Sequence, residues 1–221
     1  MDRPLSRRRS LVALGGLAAG ALGWKTTGDA GAVDGVASGA VSCVLTPEMT
    51  EGPYYVAGEK LRSDVRAGRP GTPLTLKLAV VRTSSCKPIR NAIVEIWHCD
   101  AGGTYSGVQG NSANFLRGAQ KTGASGVATF TTIYPGWYQG RAVHIHVKVH
   151  VGGNVVHTGQ FFFNDALTDA VYAKAPYNAR GARRTRNAQD SIYVNGGSRS
   201  LLAVSKSGSG YVGRITMGVA L

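Results

Sequence analysis

Acidic side chains are scarce: 12 Asp and Glu stand against 25 Lys and Arg, for a net charge of +13. Residues 1–32 hold five of the basic and two of the acidic residues, so +10 belongs to the rest of the chain. That surplus suits an anionic partner, whether nucleic acid, an acidic surface or a carboxylated small molecule, and chooses none of them. The basic run "ARGARRTR" at 179–186 has no interleaved aromatics and no nucleic-acid motif around it, so a solvated loop is expected there and no nucleic-acid partner. Long apolar runs are missing too. "LVALGGLAAGALGW" at 11–24 is too short and glycine-rich for stable membrane insertion. No glycine-rich nucleotide loop and no internal repeat is present. Cysteine is limited to Cys43, Cys86 and Cys99, with no pair at the short spacing of zinc sites.

The first 32 residues read as an export signal. Arg7, Arg8 and Arg9 precede the apolar stretch, and "SRRRSLV" at 6–12 resembles the twin-arginine export motif. Cleavage is expected after "AGA" at 30–32 or "SGA" at 38–40; a plain secretory signal is the rival reading. The expected destination is outside the cytoplasm, extracellular or in the cell envelope. Cys43 lies too far beyond the signal for a lipid anchor. In an oxidising compartment one disulfide with one thiol left over is expected. Cys43–Cys86 is the favoured pair, because both flank the apparent domain start and the following turn.

Residues 33–45 are small and polar, a flexible lead-in, and 46–221 form one domain large enough for its own core. "PLTLKLAVVR" alternates Leu74, Leu76, Leu78 and Val80 on one face. "NAIVEIWHC", "GVATFTTI", "AVHIHVKVHV", "VVHTGQFFF" and "YVGRITMGVA" follow as strands, with "TGASG", "VGGN" and "SKSGSG" as turns. The one clear helical segment is "NDALTDAVYAK", with Asn164 as N-cap. Short strands at regular intervals with little helix predict an all-β, antiparallel sandwich or barrel.

In "AVHIHVKVHV", Val143, Ile145, Val147, Val149 and Val151 share the parity of a buried face, and His144, His146, Lys148 and His150 share the other. That second face is either a solvent-facing polar stripe or a metal site. Side chains at i and i+2 are ~6.5 Å apart on one face, so His144 and His146 can converge on one ion, whereas His150, roughly 13 Å from His146, cannot join them. A ferrous two-histidine site would need a carboxylate from Glu95, Asp100 or Asp165, none of which stands in a convincing motif. Tyrosines are better placed: Tyr138 lies on a turn just before the histidines, and Tyr105 on a glycine loop after an apolar strand.

Together, "TPEMTEGPYYV", "CKPIRNAIVEIWHCDAGGTYSG", "TTIYPGWYQGRAVHIHVKV" and "HTGQFFF" resemble the intradiol ring-cleavage dioxygenases, and most closely their exported, single-domain branch. The resemblance runs to about residue 165. It implies a β-sandwich that holds non-haem iron(III) through Tyr105, Tyr138, His144 and His146. It further implies an active-site arginine at Arg141, against the plain alternative of a surface ion pair, and a substrate-contacting glutamine at Gln160, against one that satisfies buried backbone groups. The turn "TEGPYY" sets Pro53, Tyr54 and Tyr55 either as a pocket wall or as a packed loop. The implied reaction opens a catechol-type substrate between its two hydroxyls with O2, giving a cis,cis-muconic acid. Tyr138 corresponds to the tyrosine that leaves the metal as substrate binds, His146 to its axial partner, and Tyr105 and His144 to ligands that stay. Tyrosinate is a hard anionic donor suited to iron(III), and with the departing ligands taking the catechol protons no separate general base is required. Substrate supplies the electrons, so no reductant is expected. Two departures leave assembly and substrate open: the sequence carries no long N-terminal helical segment of the kind through which catechol dioxygenases dimerise, and Gly140 stands where protocatechuate enzymes place a tryptophan. A metal-free binding sandwich is the rival function, since "KPIRNAIVEIW" and "TGASGVATFTTIYPGWY" also resemble transthyretin-like and carboxypeptidase-regulatory-like domains.

Overall fold

The computed structural model describes residues 43–108 and 110–221. The proposed leader and most of the lead-in lie outside the described residues.

Eight strands run β1 (Pro73–Arg82), β2 (Ile93–Trp97), β3 (Arg117–Lys121), β4 (Val127–Ile133), β5 (His144–Val151), β6 (Asn154–Phe162), β7 (Ala203–Ser207) and β8 (Gly210–Val219). They form two four-stranded sheets, β4-β1-β8-β7 and β3-β2-β5-β6. All neighbours are antiparallel except β1 and β8, which pair in parallel. The all-β sandwich is therefore as expected, with one parallel seam. Alternation drives it. Leu74, Leu76, Leu78 and Val80 from β1 meet Val94 and Ile96 from β2 and Ile145, Val147 and Val149 from β5 in one fully buried core.

Helix is sparse. α1 (Asp165–Tyr172) starts at Asn164, whose side chain accepts from the amides of Ala166 and Leu167. α2 (Ser191–Val194) is one turn long. Among the described residues no helix is long and apolar enough to cross a membrane. Cys43 and Cys86 form the disulfide, and Cys99 is a free, buried thiol. The basic run differs from the solvated loop expected of it. Arg183 pairs with Asp165 and Asp169, Arg186 pairs with Asp169, and Arg180 stacks on Trp137 at 4.3 Å, so three of its four arginines staple the segment to α1 and to the turn before β5.

The second face of β5 is not a solvent-facing stripe. His144 and His146 are 2% and 1% exposed. Residues 46–56 cross over them. The Met49 amide donates to the Thr158 carbonyl at 2.9 Å, Glu48 accepts from the Thr158 amide at 3.0 Å, and Glu51 pairs with Lys148. Gly52 has φ +71°, and a Cβ there would lie 3.2 Å from the His146 ring, so the crossing segment comes close only because that residue has no side chain.

Candidate metal centre

Register fixes what surrounds each histidine. On β5, His146 lies opposite Trp97 of β2 on one side and Gln160 of β6 on the other; His144 lies opposite Phe162. The Trp97 indole stacks flat on the His146 ring, with centroids 4.9 Å apart and planes 6° from parallel. The two Nε2 atoms face each other at 3.1 Å, and the Tyr138 hydroxyl is 3.1 Å from His144 Nε2. Tyr105 stands edge-on to both Tyr138 and His146, at 5.6 and 6.2 Å between ring centres. Its hydroxyl is buried and finds no hydrogen bond of ordinary geometry. Tyr54 stacks on Tyr105 at 4.3 Å and closes one wall. Tyr55 turns away to Trp97 and donates to Glu95 at 3.1 Å, while Pro53 sits exposed on the turn.

The protonation states follow from burial. It pushes His144 down to about 3 and His146 well below its ordinary value, so both imidazoles are neutral. His144 Nδ1 lies 2.7 Å from the Ala142 carbonyl, which can only accept. The ring proton therefore sits on Nδ1, and Nε2 presents a bare lone pair to the cluster. Burial raises Tyr105 well above 10, and raises Tyr138 to about 12 against the pull of Arg141. Two neutral imidazoles and two reluctant phenols thus crowd one buried point. A small, highly charged cation there would accept the lone pair and favour loss of the phenol protons. The donor set fits iron(III).

Arg141 reaches the same point. Its Nη1 is 3.5 Å from His144 Nε2, its Nε donates to Asp190 at 2.9 Å, and its Nη2 donates to Gln160 Oε1. Gln160 in turn donates to the Thr50 carbonyl at 2.9 Å, tying β6 to the crossing segment. The ion pair expected of an ordinary surface arginine exists, but its partner is buried.

The carboxylates of a ferrous site are engaged elsewhere. Glu95 accepts from Tyr55 and faces His150 at 3.4 Å; Asp100 receives the Thr104 amide and pairs with Arg69; Asp165 binds Arg183. Among the described residues no group of three or more His, Cys, Asp and Glu is arranged to hold a metal. Two contributors carried no signal in the sequence. Trp97 reads as one more apolar strand residue until register places it on His146. Asp190 reads as a polar loop residue until the fold brings it to Arg141.

Known proteins bear on this geometry. The model of the family described as "Dioxygenase" matches residues 50–189, most of the described chain. Catechol 1,2-dioxygenase 1 of Acinetobacter lwoffii is 38% identical over 101 residues, covering 42% of this chain and 32% of that protein. The chain spans about a third of the length of the first curated relatives it matches. Among solved structures, an intradiol ring-cleavage dioxygenase from Tetranychus urticae is 34% identical with a TM-score of 0.77, covering 80% of this chain and 95% of that one. The dioxygenase domain of a dioxygenase carbohydrate-binding protein fusion from Streptomyces sp. SirexAA-E is 31% identical with a TM-score of 0.61, covering 79% and 97%. With the two-sheet fold and the tyrosine–histidine cluster already described, these likenesses identify the chain as a member of the intradiol ring-cleavage dioxygenase family.

Proposed function

We propose that residues 46–221 are a non-haem iron(III) intradiol dioxygenase, opening a catechol-type diol between its hydroxyls with O2 to give a cis,cis-muconic acid. The observation that carries this is the meeting of His144 Nε2, His146 Nε2 and the Tyr138 hydroxyl within 3.1 Å steps, with the buried Tyr105 ring beside them.

Tyr105, Tyr138, His144 and His146 would hold the metal. Iron(III), when bound, supplies a Lewis acid that draws electron density from a catecholate and opens the ring carbon to O2. The chain's own residues do the rest. Tyr138 is the less buried of the two tyrosines, and its hydroxyl faces the same His144 Nε2 as Arg141 Nη1, so its oxygen is the group that takes a substrate proton. Arg141 places a fixed positive charge and its Nη1 N–H groups beside His144, where negative charge on the ring and its oxygens can be stabilised. Gln160 orients that guanidinium through its Oε1. Trp97 and Tyr54 cover the histidine and tyrosine faces and limit water. Lys148 and His150, further along the same strand face, are occupied with Glu51 and Glu95 and take no part.

The export reading rests on Arg7, Arg8, Arg9 and the following apolar stretch alone. With it, the protein would meet phenols outside the cytoplasm, and its surplus of positive charge would favour carboxylated ones. Iron analysis with a visible spectrum tests the reading. One iron per chain with a broad visible band from phenolate-to-iron charge transfer, shifted by anaerobic catechol, is expected. Colourless, iron-free protein that ignores added iron(III) would overturn it and favour the metal-free binding sandwich.

A further inference from the structure

Asp190 follows the basic stretch and begins α2, where it looks like an ordinary N-cap. It does more than a cap requires. It is 1% exposed, and each carboxylate oxygen receives two N–H groups. Oδ1 accepts from the amides of Ile192 at 2.8 Å and Tyr193 at 3.2 Å. Oδ2 accepts from Arg141 Nε at 2.9 Å and from the Ala142 amide at 2.7 Å. A single turn of helix needs one acceptor oxygen, which serine supplies as well. The second oxygen serves the turn into β5.

That turn carries two of the site's groups. A guanidinium is a rigid planar fork, so fixing Nε on Asp190 and Nη2 on Gln160 fixes its plane and aims Nη1 at His144 Nε2. Ala142 is held at both ends: its amide donates to Asp190, and its carbonyl accepts from His144 Nδ1. One carboxylate therefore registers the arginine directly and the histidine through one residue of backbone. We propose that Asp190 is a positioning residue of the centre, holding Arg141 and the His144 tautomer in their working orientation. The rate arm of its test rests on the ring-cleavage reading; the arm on the metal-free chain does not.

Two variants separate the cap from the positioning role. Asp190→Ser keeps an acceptor for α2 but cannot reach Arg141; Asp190→Asn offers one acceptor oxygen where two are used. In the full chain freed of metal, the Arg141 Nε–H resonance, assigned by its loss in Arg141→Lys, should exchange slowly with solvent. Either Asp190 variant should speed that exchange by about tenfold or more. In the iron-loaded chain both should keep their iron and lose about 10- to 100-fold in kcat/KM for catechol, the scale of one charge-assisted contact. In an Arg141→Ala background the same change should cost at least about threefold less than in the wild-type background, because only the hold on His144 through Ala142 is left to lose. Wild-type exchange as fast as that of a free arginine would overturn the proposal even if both variants failed to fold. So would Asp190→Ser with wild-type exchange and rate, or an equal loss in both backgrounds. Wild-type protein that slows exchange as expected but cleaves no catechol would instead refute the ring-cleavage reading and leave Asp190's hold on Arg141 standing.

Discussion

Removing one oxygen from Tyr138 separates the fold from the chemistry. The hydroxyl hydrogen-bonds to His144 Nε2 at 3.1 Å, and burial holds its pKa at about 12. Near pH 7 only about one molecule in 100,000 would carry the phenolate without a cation, so ionising it costs ~7 kcal/mol. That cost falls on metal binding rather than on folding. Tyr138→Phe loses about 1 kcal/mol of hydrogen bonding and leaves the ring contacts with Tyr105 and Tyr54 in place. The melting temperature of the metal-free chain should therefore move by no more than a few degrees. Iron should still bind through the other three groups, with a weakened visible band. Turnover should fall about 10²- to 10⁴-fold, the usual contribution of a positioned proton acceptor. Oxygen uptake per bound iron is the assay. A fully loaded Tyr138→Phe protein running at the wild-type rate would refute the assignment of Tyr138 as the group that takes a substrate proton.

Other outcomes follow from the same structure. His144→Ala removes the lone pair that the Ala142 carbonyl orients, and should leave the chain folded with at least about tenfold less iron after loading; full occupancy would contradict the ligand set. Acid should destabilise the metal-free protein. Burial pushes His98 down to about 4, so as pH falls through ~6.5 the unfolded chain takes up a proton that the folded one refuses until about 4. Stability should be full above that window and decline through it by up to ~1.4 kcal/mol per pH unit for this residue, a slope that His98→Gln should reduce; urea unfolding insensitive to pH between 6.5 and 4 would contradict this. The disulfide closes a 43-residue separation and should contribute up to about 4 kcal/mol. Thiol titration in denaturant without reductant should count Cys99 alone, and three thiols would reject the pairing.

Much of this was legible because a strand's parity is a strong constraint. Five alternating apolar residues put Ile145, Val147 and Val149 in the core, and that forced His144 and His146 onto one face. Tyr138, Arg141 and Gln160 were legible through motif, since they lie within one turn and on the neighbouring strand. The sequence said less where partners are distant. Whether the histidine face meets solvent depends on residues 46–56, which cross it about a hundred positions away in the chain, and "TEGPYY" hints at a tight turn without saying what it covers. β3 is not legible in the sequence, because "RGAQK" has no apolar alternation. It is a strand by pairing with β2, and its buried Arg117 donates to the Ser106 carbonyl and faces Glu59. The parallel pairing of β1 with β8 joins the first strand to the last and leaves no local trace. Asp190 was hidden for the same reason: its sequence neighbours announce a helix cap, and only the fold supplies Arg141 as its second partner.

The position of ring cleavage tests the central claim most directly. Iron-loaded protein, catechol and O2 labelled with heavy oxygen should give cis,cis-muconic acid with one labelled oxygen in each carboxyl group, because the bond between the two hydroxyl-bearing carbons is the one that opens. A yellow muconic semialdehyde would place the break beside the diol, and a centre built from Tyr105, Tyr138, His144 and His146 around iron(III) would not stand with that product.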